Sequence, residues 1–185
     1  MKKLTSIILI IFLSLLSSTS WSEILTIDDL VEREGLFYKK FSHIPYTGKV
    51  KGIESGEVKK GKKEGKWFSF YKTGQLKIKE NFKDGKQNGL YEMYHDDGTI
   101  KTKGIYKDSK RDGLWEFYPL GYLWEKLNYT DGVFDGLNER FHSNGLLERR
   151  GNFNGGDRDG LWEYFYADGI LKNTMTWKNG ERINC

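Results

Sequence analysis

The chain has 185 residues, of which 30% are charged, 15% aromatic and only 37% hydrophobic, so its apolar content is concentrated in large rings. That length holds one ordinary domain or one short repeat array. A formal charge of +4 spread over 30 basic and 26 acidic residues argues against a general nucleic-acid binder, and one cysteine, Cys185, excludes an internal disulfide framework.

Residues 1–22 read as a secretory signal. Lys2 and Lys3 form a basic start, Leu4 to Leu16 an apolar core of 13 residues, and Ser20-Trp21-Ser22 places small residues where a signal peptidase inspects the chain. The apolar run is shorter than the ~20 residues a spanning helix requires. The expected mature protein therefore starts at Glu23, is exported to the periplasm or secreted, and carries +2 once Lys2 and Lys3 are removed. No cysteine follows the apolar core, which argues against a lipid-modified N-terminus. Cys185, the last residue, reads as an incidental terminus, with an intermolecular disulfide as the alternative.

Residues 23–60 read as an N-terminal cap with a degenerate repeat. Thr26 followed by Asp29 resembles a capping box, and Gly35 supplies a stop, which predicts one or two helical turns. Leu36-Phe37-Tyr38 and Pro45 to Val50 predict short strands around a turn. Lysines 49, 51, 59, 60, 62, 63 and 66 form a basic strip interleaved with Glu54, Glu57 and Glu64. Such a strip reads as a solvated sheet edge blunted by lysine, or alternatively as a contact for anionic lipid or nucleic acid.

Residues 61–185 carry about five copies of one unit. Its leading glycines are Gly65, Gly89, Gly113, Gly136 and Gly160, at steps of 24, 24, 23 and 24 residues. Two residues later stand Trp67, Tyr91, Trp115, Asn138 and Trp162, and three further on Phe70, Tyr94, Tyr118, Phe141 and Phe165. A first turn follows, marked by Gly74, Gly98, Gly121, Gly145 and Gly169; Asn-Gly and Asp-Gly here are hairpin signals because they accept positive φ. The second half opens with Leu76, Ile100, Leu123, Leu147 or Leu171 and ends six residues later with Phe82, Tyr106, Tyr129, Phe153 or Trp177. That even separation predicts one shared strand face. Gly85, Gly132 and Gly180 mark the second turn. Trp67 and Phe70 are an odd distance apart, which leaves two readings: opposite faces, or a bulge that reunites them. The residue missing from the third unit falls in Tyr118-Pro119-Leu120-Gly121, at a turn, where a deletion leaves the in/out pattern intact. Each period thus predicts one hairpin, and the whole an all-β, elongated single-layer antiparallel meander with a short N-terminal helical turn. Asn184 stands where a sixth leading glycine would be.

No catalytic set emerges. His95 and His142 share the repeat position of Tyr71 and Tyr166, which reads as a packing ladder beside a turn; His43 is the only other histidine. Asp157-Arg158-Asp159-Gly160 lacks the glutamate a calcium loop needs, since Tyr166 takes its twelfth position. No nucleotide loop or zinc spacing is present. The expectation is a non-enzyme without cofactor or metal, its aromatic rows being core rather than a ligand platform.

The pattern Gly-x-Trp-x-x-Tyr/Phe, then Asn/Asp-Gly-x-Leu, then Tyr/Phe-Lys-Asp/Asn-Gly, resembles MORN repeats, and most closely the bacterial variant of exported and antitoxin-like proteins. The copies run from Gly65 to Gly180, with a degenerate unit reaching back to Leu36. The resemblance implies stacked hairpins with aromatic rows, and roles in protein scaffolding, phospholipid contact or toxin neutralisation. Asn138, the shortened third turn and Ser109 at a turn-glycine position depart from it. The expected function is a non-catalytic exported module that binds a protein partner or an envelope surface, with Ser69, Met93, Phe117, Arg140 and Tyr164 as its variable positions. The alternatives are an anionic-phospholipid binder and an immunity-type neutraliser of an extracytoplasmic toxin.

Overall fold

The structure is a computed structural model that describes residues 24–183; the signal segment at 1–22, Asn184 and Cys185 lie outside the described residues. Near the start, the Asp29 carboxylate accepts hydrogen bonds from the backbone N–H and the hydroxyl of Thr26, both at 2.8 Å. This cap opens a single 3-10 turn, Ile27–Asp29. β1 (Leu30–Arg33) and β2 (Leu36–Lys39) then form a separate hairpin around Glu34-Gly35.

All later strands join one antiparallel sheet of 13 strands, each paired only with its neighbours in sequence. They are β3 (Gly48–Val50), β4 (Glu54–Lys59), β5 (Lys62–Phe70), β6 (Leu76–Lys83), β7 (Lys86–Tyr94), β8 (Ile100–Lys107) and β9 (Lys110–Phe117). The sheet continues through β10 (Glu125–Thr130), β11 (Val133–Phe141), β12 (Leu147–Asn154), β13 (Asp157–Phe165), β14 (Leu171–Lys178) and β15 (Glu181–Ile183). The described chain is therefore nearly all β, a meander of hairpins with one short helical turn. The sheet runs across residues 60 and 61, which form the turn between β4 and β5.

Two turn chemistries alternate. The turn from β6 to β7 has Asp84 and Gly85 both at positive φ (52° and 83°), the combination a two-residue turn needs to match strand twist. The turn from β7 to β8 is longer. His95 N–H donates to Thr99 O (2.8 Å), Gly98 N–H to His95 O (3.1 Å), and the Asp97 carboxylate accepts from Thr99 N–H (2.8 Å). There only the glycine takes positive φ.

Every leading glycine sits in a bulge. Between β6 and β7 the register steps from Glu80↔Tyr91 to Phe82↔Gln87, so β7 carries two extra residues beside Gly89. The same step occurs beside Gly65, Gly113, Gly136 and Gly160. The five glycines have φ between 68° and 111°, a region closed to most side chains.

A second bulge corrects one expectation. Along β5 the pairing is regular from Trp67 to Ser69, so Trp67 and Phe70 point to opposite faces. The register then jumps from Ser69↔Ile78 to Phe70↔Leu76, with Lys77 as the extra residue. Leu76 therefore shares a face with Phe70, not with Phe82 as the even spacing predicts. Lys101, Glu148 and Lys172 interrupt the same parity in later hairpins. The shortened hairpin has no such bulge: Phe117 pairs with Glu125 without a jump, and β10 is two residues shorter than β6 or β8. The missing residue does fall at the turn, and its loss also removes the bulge.

The core is thin and falls into two clusters. Leu25, Leu30, Tyr46, Val50 and Val58 pack with Trp67 at the N-terminal end, joined by Phe37 and Phe82. Trp115, Leu127 and Tyr129 form a second cluster with Tyr91, Tyr106, Phe117 and Phe134. Beyond the N-terminal cluster, no second layer covers the sheet among the described residues.

Candidate interaction surfaces

One face carries the ring row. Trp67, Trp115 and Trp162 are at most 1% exposed although nothing overlies the sheet as a layer. Each lies on a glycine of the preceding strand, Gly56, Gly104 or Gly151, where an added Cβ would stand deep inside the indole's contact distance. Each indole N–H donates to a main-chain carbonyl, of Glu57 (3.1 Å), Ile105 (3.0 Å) and Asn152 (3.1 Å) respectively. A cation covers each ring from outside: Lys63 over Trp67 at 4.2 Å, Arg111 over Trp115 at 4.4 Å, Arg158 over Trp162 at 4.5 Å. Edge-to-face and tilted contacts at 4.9–5.6 Å continue the row through Tyr91, Tyr106, Phe134 and Phe153. These rings serve as core.

The unit at Gly136 has no tryptophan, and Phe134 carries the ring row past it. Asn138 is 1% exposed and its amide donates to the buried Glu125 carboxylate (3.3 Å) and to Lys126 O (3.2 Å). Arg149 pairs with the same carboxylate at 3.1 Å. The variable positions lie on this face beside the row. Phe117 stacks near Trp115, Arg140 covers the Trp124 ring at 4.4 Å, and the Tyr164 hydroxyl meets Arg158 at 3.4 Å.

The opposite face has three rows. The first is aliphatic: Leu90, Ile105, Leu114, Leu137 and Leu161 are 40–54% exposed. The second alternates in charge as successive cross-strand partners, Lys79, Glu92, Lys103, Glu116, Lys126, Glu139, Arg150 and Glu163. Ion pairs close at Lys79–Glu92 (2.7 Å), Lys103–Glu116 (2.6 Å) and Arg150–Glu163 (2.5 Å). The Lys79 hydrogen bond holds the Glu92 carboxyl below the ordinary carboxylate range, and the partner carboxylates hold Lys79 and Lys103 above the usual lysine value. The third row contains Phe70, Tyr94, Tyr118, Phe141 and Phe165, in which the hydroxyls of Tyr94 and Tyr118 donate to Glu92 (3.1 Å) and Glu116 (3.2 Å).

Tyr71, His95 and His142 reach from one repeat to the next. Tyr71 hydroxyl donates to Tyr94 O (2.7 Å), His95 Nε2–H to Tyr118 O (2.8 Å) and His142 Nε2–H to Phe165 O (3.1 Å). This is the ladder site the repeat position predicts. Asp159 pairs with Lys178 at 3.2 Å, within an inter-hairpin strand start. Among the described residues, no group of three His, Cys, Asp or Glu residues is placed to hold a metal. No described helix is long and apolar enough to cross a membrane.

Sequence reading treated lysines 49–66 as one strip, and the fold divides them. Lys63 turns to the ring face, bonded to Glu54 at 3.0 Å. Lys59 and Lys62 flank the turn between β4 and β5 and face each other across the ladder. Two further signals were legible and went unread: Gly56, Gly104 and Gly151 each precede a tryptophan by eleven residues, and Lys63, Arg111 and Arg158 precede the same tryptophans by four.

Period, bulged glycines and a single meandering sheet define a β-hairpin repeat protein. Residues 63–84, 87–108 and 158–179 each match the family model described as a MORN repeat variant, so the chain carries MORN-type repeats. The units between them are the one with the shortened turn and the one with Asn138. Comparison with curated proteins returned no match. MORN repeats in general mediate protein or membrane interactions.

Proposed function

We propose that this chain is a non-catalytic, exported interaction module that holds a protein partner against the aliphatic face of its sheet. The observation that carries this reading is the row of Leu90, Ile105, Leu114, Leu137 and Leu161, each 40–54% exposed on a sheet face without a covering layer among the described residues. Leu90 and Ile105 pair directly, and Asn128 pairs with Leu114 and Asn152 with Leu137, so the stripe mixes half-exposed apolar groups with amides, the composition of an interaction surface. The charges beside it pair with one another, so apolar packing supplies the contact and the ladder supplies register. Repeat surfaces bind through extended area of this kind. Neutralisation of an extracytoplasmic toxin would be one form of such capture. The basic signal-like start at Lys2 and Lys3 supports export.

The test captures partners of the mature chain from its own envelope extract in low and high salt, beside a Leu90→Ser/Leu114→Ser/Leu137→Ser variant that still melts cooperatively. A partner held in high salt by the parent and lost by the variant supports the reading. Binding to anionic vesicles that disappears as the Debye length falls below about 8 Å would favour a membrane role instead. N-terminal sequencing of the exported chain checks cleavage before Glu23, and turnover of an envelope polymer by the purified chain would overturn the non-catalytic reading.

A further inference from the structure

Stacking brings together lysines that lie a full repeat apart in sequence. Lys59 pairs with Lys62, Lys83 with Lys86 and Lys107 with Lys110, each directly across a tight turn. Directly opposed like charges disfavour a strand pair. The fold does not require them, because the following equivalent turns pair Thr130 with Val133, Asn154 with Asp157 and Lys178 with Glu181. All six lysines are exposed, and none joins an ion pair among the described residues.

The three turns form a fixed row. Gly85 N–H donates to Lys63 O (3.0 Å) and Ser109 N–H to Gln87 O (2.9 Å), which tie the second and third turns each to the one before, and Gly132 N–H donates to Arg111 O (2.8 Å) from the next turn along. A Cβ at Gly85 would lie 3.4 Å from that of Lys62, and one at Gly132 3.6 Å from that of Lys110, so neighbouring turns seat these two stems. With two strands per repeat and strands about 4.8 Å apart, successive lysine pairs repeat every ~9.6 Å.

We propose that this margin of three turns binds a linear, phosphate-bearing polyanion along its length. Lysine ammonium groups are point charges suited to phosphate, and a single line of pairs fits a chain better than a plane. The turns carry no exposed aliphatic or aromatic side chain to enter a bilayer or to stack on bases; besides lysine they hold only Gly61, Asp84, Gly85, Asp108 and Ser109. The site is separate from the aliphatic face.

The experiment titrates short-chain inorganic polyphosphate into the mature chain over a range of salt. Six phosphate contacts give a log–log salt slope of about −4, at about 0.7 per contact. Lys83→Gln/Lys86→Gln/Lys107→Gln/Lys110→Gln reduces the slope to about −1.5 and weakens binding by about two to three orders of magnitude near 0.1 M salt. Its melting temperature does not fall, since like-charge pairs have been removed. A charge-matched variant on the opposite margin, Lys72→Gln/Lys77→Gln/Lys101→Gln/Lys172→Gln, retains binding, as does the triple Leu→Ser variant. Equal loss in both lysine variants would reduce the effect to net charge and overturn the proposal. So would absence of polyphosphate binding, tighter binding of single-stranded DNA with the same number of phosphates, or binding confined to anionic vesicles.

Discussion

The repeats led by Gly65, Gly113 and Gly160 differ in kind from those led by Gly89 and Gly136. The first set buries a tryptophan flat on a glycine and closes it with Lys63, Arg111 or Arg158. In the second set the three positions read Glu80, Tyr91 and Gln87, or Leu127, Asn138 and Phe134. The three residues change together because the contact demands it: an indole reaches the sheet only where the neighbouring strand lacks a Cβ, and its outer side needs a cover. The structural unit is thus a pair of hairpins, one thick and one thin, although the sequence period is one hairpin. In a single-layer sheet the thick units bear the burial that a second layer would otherwise provide.

The largest effects follow from removing a thick unit's ring. Trp115→Ala and Trp162→Ala are expected to destabilise by about 3–5 kcal/mol each in chemical denaturation, because both rings are fully buried. Tyr91→Ala, in a thin unit and only partly buried, should cost clearly less. Equal losses would dissolve the distinction. A sharper test sits on the glycine. Gly104→Ala should cost about 1–3 kcal/mol by overpacking against Trp115, and almost nothing when Trp115 is already leucine. A double-mutant cycle isolates that coupling.

These pairings show where sequence reading succeeded and stopped. The hairpin period, turn glycines and ring positions were legible because each is a local signal with a local cause, positive φ or strand alternation. The placement of Leu76 was not, since the bulge at Lys77 is set by pairing with Phe70 and changes parity without a glycine or proline to announce it. The split lysine strip failed for a related reason: Lys62 and Lys63 are adjacent in sequence, yet strand alternation sends Lys63 to the ring face and leaves Lys62 at the turn margin. The aliphatic and ionic rows exist only once hairpins stack, although Leu after the leading glycine and Glu two residues later recur openly in four units.

Intermediate effects probe how thin units survive without tryptophan. Asn138→Ala removes a donor from the buried Glu125 carboxylate and should cost about 1–3 kcal/mol in denaturant melts. Adding Glu125→Gln should deepen that loss, because Arg149 then loses the carboxylate it pairs with at 3.1 Å. Arg158→Met keeps the stem over Trp162 and removes the cation, for about 0.5–2 kcal/mol; the equivalent change at Gln87, which covers no tryptophan, loses only the hydrogen bond to Glu80 (2.6 Å), for about 0.5–1.5 kcal/mol.

The smallest effect tests whether the two kinds of repeat differ on one face only. Lys79–Glu92 joins a thick unit to a thin one across the charge row of the other face, and the Glu92 carboxyl is held below its ordinary value of 4.5, first by the Lys79 hydrogen bond and then by the Tyr94 hydroxyl and nearby lysines. A carboxyl depressed in the folded state contributes stability that is present above the unfolded value and is lost as pH falls through the folded one. Lys79, raised above 10.5 by the same partner, loses its share only as pH rises through that higher value, so the contribution is level between these limits. Glu92→Gln should therefore lower the stability slightly near neutral pH, by at most about 1 kcal/mol for a pair this accessible. The gap from the parent should close as pH drops below 4.5. Measured in the Trp115→Ala background, the Glu92→Gln increment should be unchanged, because the two side chains lie on opposite faces of the sheet. A pH-independent gap would remove the ion pair from the account, and strong coupling to Trp115 would mean that the two faces are not independent.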